Sequence, residues 1–111
     1  IQNQPIPLFE NEDKLPLTKE LFLQDALVFK NLASSEVSLK CDLHHHGWTF
    51  DFAEFPFLGI WAAKQADFVC VEPWCGIADS VDHNGNLEEK EGIIRLVPDA
   101  EFKASWTIAC Y

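Results

Sequence analysis

The chain has 111 residues, of which 48% are apolar, and its 8 basic and 18 acidic side chains leave a formal net charge of −10. A chain of this length holds one small domain or part of a larger one. The acidic excess leaves no basic stripe that could displace counterions from nucleic acid or bind an anionic membrane surface. No apolar run approaches the roughly 20 residues that a membrane-spanning helix needs, so we expect neither nucleic acid nor a membrane as a partner.

The hydrophobic pattern predicts an all-β fold of about seven strands and one short helical turn. Most of the chain alternates apolar and polar residues with period two, which is typical of strands with one buried face. The helical turn is predicted at residues 18–24, with Thr18 as a plausible N-cap. The strand candidates are residues 6–9, 26–30, 37–43, 48–52, 57–61, 68–71, 93–97 and 102–110. Many short strands with aromatic inner faces favour two sheets packed as a sandwich.

The four cysteines predict free thiols better than a metal site. Their spacing matches no zinc pattern. Cys41, Cys70 and Cys110 lie in apolar runs, which predicts small buried side chains. We therefore expect reduced thiols in a reducing compartment such as the cytoplasm, with a disulfide as the alternative.

Three adjacent histidines, His44–His46, suggest a metal at first sight. They fall between two strand candidates and precede Gly47, which predicts a hairpin loop. Neighbouring side chains on a turning chain point in different directions and seldom converge on one ion. The sequence therefore favours a solvated loop, and we predict no metal site.

Glu72 is the most unusual acidic residue, because it ends the apolar run of residues 68–71 and precedes Pro73 and Trp74. Strand parity places it on the same face as Phe68. A carboxylate beside an aromatic wall is a candidate general base, although a strand-end glutamate is more often simply solvated. Trp74, predicted in the loop that follows, is a candidate ligand contact, whereas Trp48, Trp61 and Trp106 fall in strands and favour the core.

Asp25 separates the helical turn from the apolar run that begins at Ala26. An aspartate at such a point commonly caps or turns the backbone. It is also a candidate acceptor of hydrogen bonds from a polar ligand. The residues alone leave both roles open.

Three blocks of the sequence resemble the C-terminal part of the aldose 1-epimerase (mutarotase) family, in the bacterial branch called LacX-like. The blocks are LTKELFLQDALVFKNLASSEVSL, FPFLGIWAAKQADFVCVEPWCGIADS and LEEKEGIIRLVPDAEFKASWTI. The resemblance implies an antiparallel β-supersandwich with a sugar site in an open cleft. Full-length members are far longer, and this chain begins with Ile and contains no Met. We therefore expect residues 1–111 to be the C-terminal part of one larger domain.

The resemblance also implies a reaction, the interconversion of the α and β anomers of an aldose by acid–base ring opening, which needs no metal or organic cofactor. Glu72 in FVCVEPW occupies the position of the family's base, and Asp25 in QDALVF looks like its sugar-binding aspartate. The family's two active-site histidines and its arginine come from earlier sequence and have no counterpart here. Cys75 stands where an aromatic is frequent, which puts one edge of the site in doubt.

Two other functions stay open on the same scaffold. The first is a non-catalytic carbohydrate-binding protein, because a fold does not determine a function. The second is a sugar-phosphate epimerase, against which the presence of one arginine, Arg95, argues weakly.

Overall fold

The structure is a computed structural model, and it describes residues 13–111. Within that range the chain forms six strands and two short 3-10 helices, and none of its helices has the length and apolar character needed to cross a membrane. The strands are β1 (Leu27–Lys30), β2 (Glu36–Leu39), β3 (Trp48–Asp51), β4 (Phe57–Trp61), β5 (Cys70–Trp74) and β6 (Thr107–Cys110). The 3-10 helices are Lys19–Phe22 and Leu87–Glu89. The all-β class predicted from the sequence is confirmed.

The strands form two antiparallel sheets of three strands each. The first sheet has the order β1-β4-β5, and the second has the order β2-β3-β6. The hairpins β2–β3 and β4–β5 each stay within one sheet, because antiparallel neighbours can be joined by a short loop. In the strand order of the described residues, β5 and β6 are both edge strands.

The core lies where the two sheets face each other. Leu58 of the first sheet, with 1% of its surface exposed, packs with Phe50 of β3 and with Phe52 just beyond it. Partly buried side chains surround this cluster: Phe29, Val37, Trp48, Phe55, Ile60 and Val71. Burying one such side chain contributes about 1.5–3 kcal/mol, so this contact holds the sheets together.

Strand β5 is displaced from its predicted position. The apolar run predicted a strand over residues 68–71 that ends before Glu72, whereas the strand covers Cys70–Trp74 and has Glu72 at its centre. Pro73 made the strand look finished there. It pairs with Leu58 all the same, because an edge strand needs no N–H donor on its free side.

The C-terminal strands are shorter than predicted. Residues 93–97 form no strand, and of the alternating residues 102–110 only Thr107–Cys110 pair. The ladder starts at Thr107 because its partner, Asp51, is the last residue of β3. Before it, Glu54 binds the backbone N–H and the hydroxyl of Ser105 at 2.7 and 3.1 Å. Strand β2 likewise ends early, at Leu39, and the candidate at residues 6–9 lies outside the described residues.

Several residues predicted to be buried are not. Cys41 and Cys110 are exposed and Cys70 is half-buried, and all four cysteines are free thiols. Trp106 is 55% exposed, and Trp61 is 36% exposed. Their positions in the sheets explain this. Cys41 lies beyond the end of β2, and Cys110 belongs to β6, the exposed edge strand of the second sheet.

Candidate functional site

Glu72 lies at the centre of β5, where it pairs with Gly59 of β4. Successive residues of a strand point to opposite faces. Val71 packs against the core, so Glu72 and Trp74 belong to the outer face of the first sheet. This face, called the outer face below, carries the candidate site.

Trp74 holds the carboxylate of Glu72. The indole Nε1–H of Trp74 donates a hydrogen bond of 3.0 Å to Glu72 Oε2, and both side chains are half-buried. Hydrogen bonds to charged acceptors are the stronger ones. Within residues 13–111 the other oxygen, Oε1, has no hydrogen-bond partner. One oxygen is therefore fixed by the protein, and the other is available to accept a proton.

An exposed aromatic pair lies beside this carboxylate. Trp61 of β4 pairs with Cys70 of β5, two residues from the level of Glu72 and on the same face by parity. Its ring centroid lies 6.1 Å from that of Phe68, and Phe68 is 52% exposed. Aromatic rings in the open beside a polar group are suited to contact a ligand with one apolar face.

The opposite end of the outer face is covered by the long loop after β5. The carboxylate of Glu91 binds Lys30 Nζ of β1 at 2.9 and 3.0 Å. The backbone of Gly92 passes so close to Phe57 that a Cβ built on this glycine would lie 2.9 Å from the ring. The outer face is therefore open at its Trp61 end.

The same loop contains an ion pair that the sequence did not indicate. Lys90 Nζ donates to Asp79 Oδ1 at 2.8 Å, and this hydrogen bond holds the pKa of Asp79 below its usual value. His83 Nε2 lies 4.0 Å from the same oxygen. These contacts link the two ends of the loop.

Asp25 lies apart from the pair of Glu72 and Trp74. Its Oδ1 accepts a hydrogen bond of 2.7 Å from the backbone N–H of Ala26, and the side chain is exposed. The register places it two strands across from Glu72 and three residues along, which puts the two Cα atoms about 14 Å apart. Asp25 is thus at the open end of the first sheet, and the two carboxylates share no proton.

Two cavities share residues with the outer face: Glu72 lines the smaller one, and Phe68 lines the larger one. The smaller, of about 340 Å³, adjoins the free edge of β5 and is lined by Trp48, Phe50, Val71, Glu72, Pro73, Trp106 and Ile108. The larger, of about 820 Å³, lies between the first 3-10 helix, the loop after β4 and the histidine loop. His44 and His46 line it with ring centroids 5.5 Å apart, but none of the three predicted site residues does.

The histidines lie in the loop between β2 and β3, as the hairpin prediction stated. Among residues 13–111, no group of three or more His, Cys, Asp or Glu side chains is placed to hold a metal ion. Sequence reasoning placed Phe68 on the face of Glu72 but missed two contributors to the site, namely Gly59 beneath Trp74 and Trp61, which forms the aromatic pair with Phe68. The pairing of β4 with β5 brings these residues next to Glu72. The only sign of this pairing in the sequence was that the strand candidates 57–61 and 68–71 follow each other closely.

No protein-family model matches the sequence. The chain is similar to two curated proteins of Lactococcus lactis subsp. lactis, "Protein LacX, chromosomal" and "Protein LacX, plasmid". With each it is 32% identical over 103 residues, which are 92% of this chain and 34% of the relative. The chain thus spans about a third of the length of the curated relatives it matches.

A solved structure gives the same result for the fold. The chain is similar to a galactose mutarotase related enzyme from Lactobacillus acidophilus, with a TM-score of 0.80 and 37% sequence identity over 87% of this chain and 33% of that one. The fold is therefore all-β and galactose mutarotase-like, over part of such a domain. The predicted resemblance to LacX-like proteins of the aldose 1-epimerase family is confirmed.

Proposed function

We propose that the protein containing this chain is an aldose 1-epimerase in which Glu72 is the general base. The observation that carries the proposal is the carboxylate of Glu72, held through one oxygen by Trp74 and standing beside an open aromatic pair. A base for this reaction must be partly shielded, fixed in orientation and still accessible to a hydroxyl proton. Similarity to a galactose mutarotase related enzyme supports the same reaction.

The proposed reaction needs one proton acceptor and one proton donor. Glu72 takes the proton of the anomeric hydroxyl, and the bond between the anomeric carbon and the ring oxygen breaks. The ring oxygen keeps the electron pair and takes a proton from an acid, which leaves an open-chain aldehyde. After rotation about the bond between C1 and C2, the chain hydroxyl attacks the other face of the carbonyl, and the two protons return.

Asp25 and Trp74 are proposed as substrate-binding residues. Asp25 has one oxygen on its neighbour's N–H, and its remaining capacity suits sugar hydroxyls that reach the open end of the sheet. Trp74 contributes its ring, because its N–H is already bound by Glu72. The acid is proposed to come from outside this chain, since no histidine within residues 13–111 is bonded to Glu72 or lies in its strand.

We also propose that residues 1–111 are the C-terminal part of a single larger domain. The chain spans about a third of its relatives. The apolar cavity between the edge of β5 and the second sheet leaves Trp106 and Ile108 exposed by 55% and 45%, which suits cover by further chain. A cytoplasmic location is proposed from the four free thiols, which are typical of a reducing compartment.

The test is polarimetry on the complete protein with freshly dissolved α-glucose and α-galactose. We expect rotation to reach equilibrium faster than in buffer alone, in proportion to the protein concentration. Rates equal to buffer for every aldose tried would contradict the proposal.

A carbohydrate-binding protein without catalysis is the second candidate, because the exposed pair of Trp61 and Phe68 would serve binding alone equally well. Calorimetric binding of an aldose without faster mutarotation would select it. A sugar-phosphate epimerase is less supported, since the guanidinium of Arg95 already donates to the backbone oxygen of Glu88 at 2.6 Å.

A further inference from the structure

Gly59 lies beneath Trp74 at the centre of the outer face. A Cβ built on Gly59 would lie 2.5 Å from Cζ2 and 2.7 Å from Cε2 of the indole ring. Carbon atoms that are not bonded normally stay about 3.5–4.0 Å apart. The indole therefore occupies the space in which any other residue would place its side chain.

Backbone conformation does not account for this glycine. The glycines with positive φ are Gly85 and Gly92, and Gly59 is an ordinary residue of a paired strand. A glycine in mid-strand costs stability, because it loses more conformational freedom and packs no side chain. Its benefit at this position is thus the close approach of Trp74.

The close approach and the hydrogen bond to Glu72 belong to the same part of the ring. Cε2 is the ring atom second nearest to the built Cβ. It is covalently bonded to Nε1, the nitrogen that donates to Glu72 Oε2. A methyl group at position 59 would push this edge away by roughly 1 Å. The N–H···Oε2 contact is 3.0 Å long, and a shift of that size would stretch or misalign it, which weakens a hydrogen bond steeply.

We propose that Gly59 is a positioning residue for the base. Its missing side chain lets the indole of Trp74 lie on β4, where the N–H fixes one oxygen of Glu72 and leaves the other free for the sugar. The catalytic consequence rests on the proposed function, whereas the hydrogen bond does not. The residue acts only through Trp74 and Glu72.

The test compares Gly59→Ala with Gly76→Ala in the complete protein. Gly76 is the matched control, because a Cβ there would meet its nearest neighbour, the carbonyl oxygen of Gly92, at 3.6 Å, an ordinary contact. The first readout is hydrogen exchange of the Trp74 indole N–H by NMR, assigned with Trp74→Phe. We expect Gly59→Ala to abolish its protection and Gly76→Ala to keep it. Unchanged protection in Gly59→Ala would overturn the inference.

The second readout is the split between kcat and KM. We expect Gly59→Ala to lower kcat by about 10–100-fold, the usual loss for one hydrogen bond to a charged group, and to raise KM by a smaller factor, because the displaced indole is also proposed to contact the sugar. In Trp74→Phe, which lacks both the N–H and the larger ring, adding Gly59→Ala should cost little more, because the two changes act on one contact. Full additivity would overturn the inference.

The remaining outcomes are also decisive. If Gly59→Ala does not fold but the double variant with Trp74→Phe does, the collision with the indole is supported. If the double variant does not fold either, β4 needs the glycine for another reason and the inference fails. Lost protection together with normal turnover of Glu72→Gln would support the positioning contact and reject the proposed function.

Discussion

The outer faces of the two sheets differ sharply in chemistry. The outer face of the second sheet is polar. Ser38 of β2 pairs there with Thr49 of β3, and their hydroxyl oxygens lie 2.8 Å apart. That of the first sheet carries a half-buried carboxylate between aromatic rings. Hydroxyl pairs suit a face turned to water, whereas a shielded carboxylate beside apolar rings is typical of a ligand site.

The inner faces of the two sheets differ in how well they are buried. The first sheet covers its inner face well, and Leu58 is its most buried residue. The second sheet leaves β6 exposed along its whole length. The first sheet therefore has a well-buried inner face, while the second lacks cover along β6 within residues 13–111. Each prediction below tests one side of this comparison.

The largest effect is expected for Glu72→Gln in the complete protein. Glutamine keeps the shape and accepts the hydrogen bond of Trp74 but cannot accept a proton as carboxylate does. We expect kcat to fall by about 10²–10⁴-fold, the usual contribution of a positioned acid or base, with sugar binding largely kept. Polarimetry gives the rate and calorimetry the binding, and near-normal turnover would remove Glu72 from the mechanism.

Leu58→Ala tests the covered inner face. A leucine that is 1% exposed should cost about 2–5 kcal/mol of unfolding free energy when it becomes alanine. The comparison variant is Ile108→Ala on β6, whose side chain is 45% exposed in the 111 residues. Urea unfolding of the complete protein measures both, and the loss for Ile108→Ala should approach that for Leu58→Ala if further chain covers β6 as proposed; a much smaller loss would contradict that cover.

The uncovered edge predicts the behaviour of the 111 residues alone. Exposed apolar side chains such as Trp106 beside an unpaired strand edge favour association. We expect the isolated chain to self-associate or to be poorly soluble, and to mutarotate sugars no faster than buffer, because the acid is missing. Analytical ultracentrifugation and polarimetry test this. A monodisperse, active monomer would refute the proposal of a larger domain.

A small, pH-dependent effect is expected from the contact between the first 3-10 helix and the β4–β5 loop. Lys19 Nζ donates to Asp67 Oδ1 at 2.7 Å, and this bond holds the pKa of Asp67 below its usual value. A lowered pKa stabilises the fold above the unfolded-state pKa, and that contribution is lost as the pH falls through the folded-state pKa. Asp67→Asn should therefore be slightly less stable than the parent at neutral pH, and the difference should vanish in acid. The pair is exposed, so a large difference would be unexpected.

No effect is expected from the histidine loop. Replacing His44, His45 and His46 together with Ser and Asn should leave activity and metal content unchanged, because the loop joins β2 to β3 in the other sheet from Glu72. Mass spectrometry of metals and polarimetry check this. Stoichiometric zinc in the parent protein that is lost in the triple variant would contradict the prediction that these histidines form a solvated hairpin loop without a metal.

Local pattern predicted the parts of this chain in which neighbours along the sequence decide the structure. The apolar run of residues 57–61 predicted β4, and the two alternating runs on either side of the histidines predicted a hairpin loop there. It failed at Pro73, since a proline ends a central strand but not an edge strand, and nothing in the sequence said that β5 was at an edge. It failed again at Trp106, which alternates like a core residue but lines the cavity at the edge of β5 and is 55% exposed.

The sequence by itself determined the all-β class, the acidic surface, the candidate residues Glu72, Asp25 and Trp74, and the resemblance that joins them. These depend on residue type and on spacing along the chain. Only the tertiary structure decided that Trp74 donates to Glu72 and lies on Gly59, and that Asp25 is two strands away. Those relations depend on which strands pair and in what register, and pairing is settled by the packing of residues far apart in sequence.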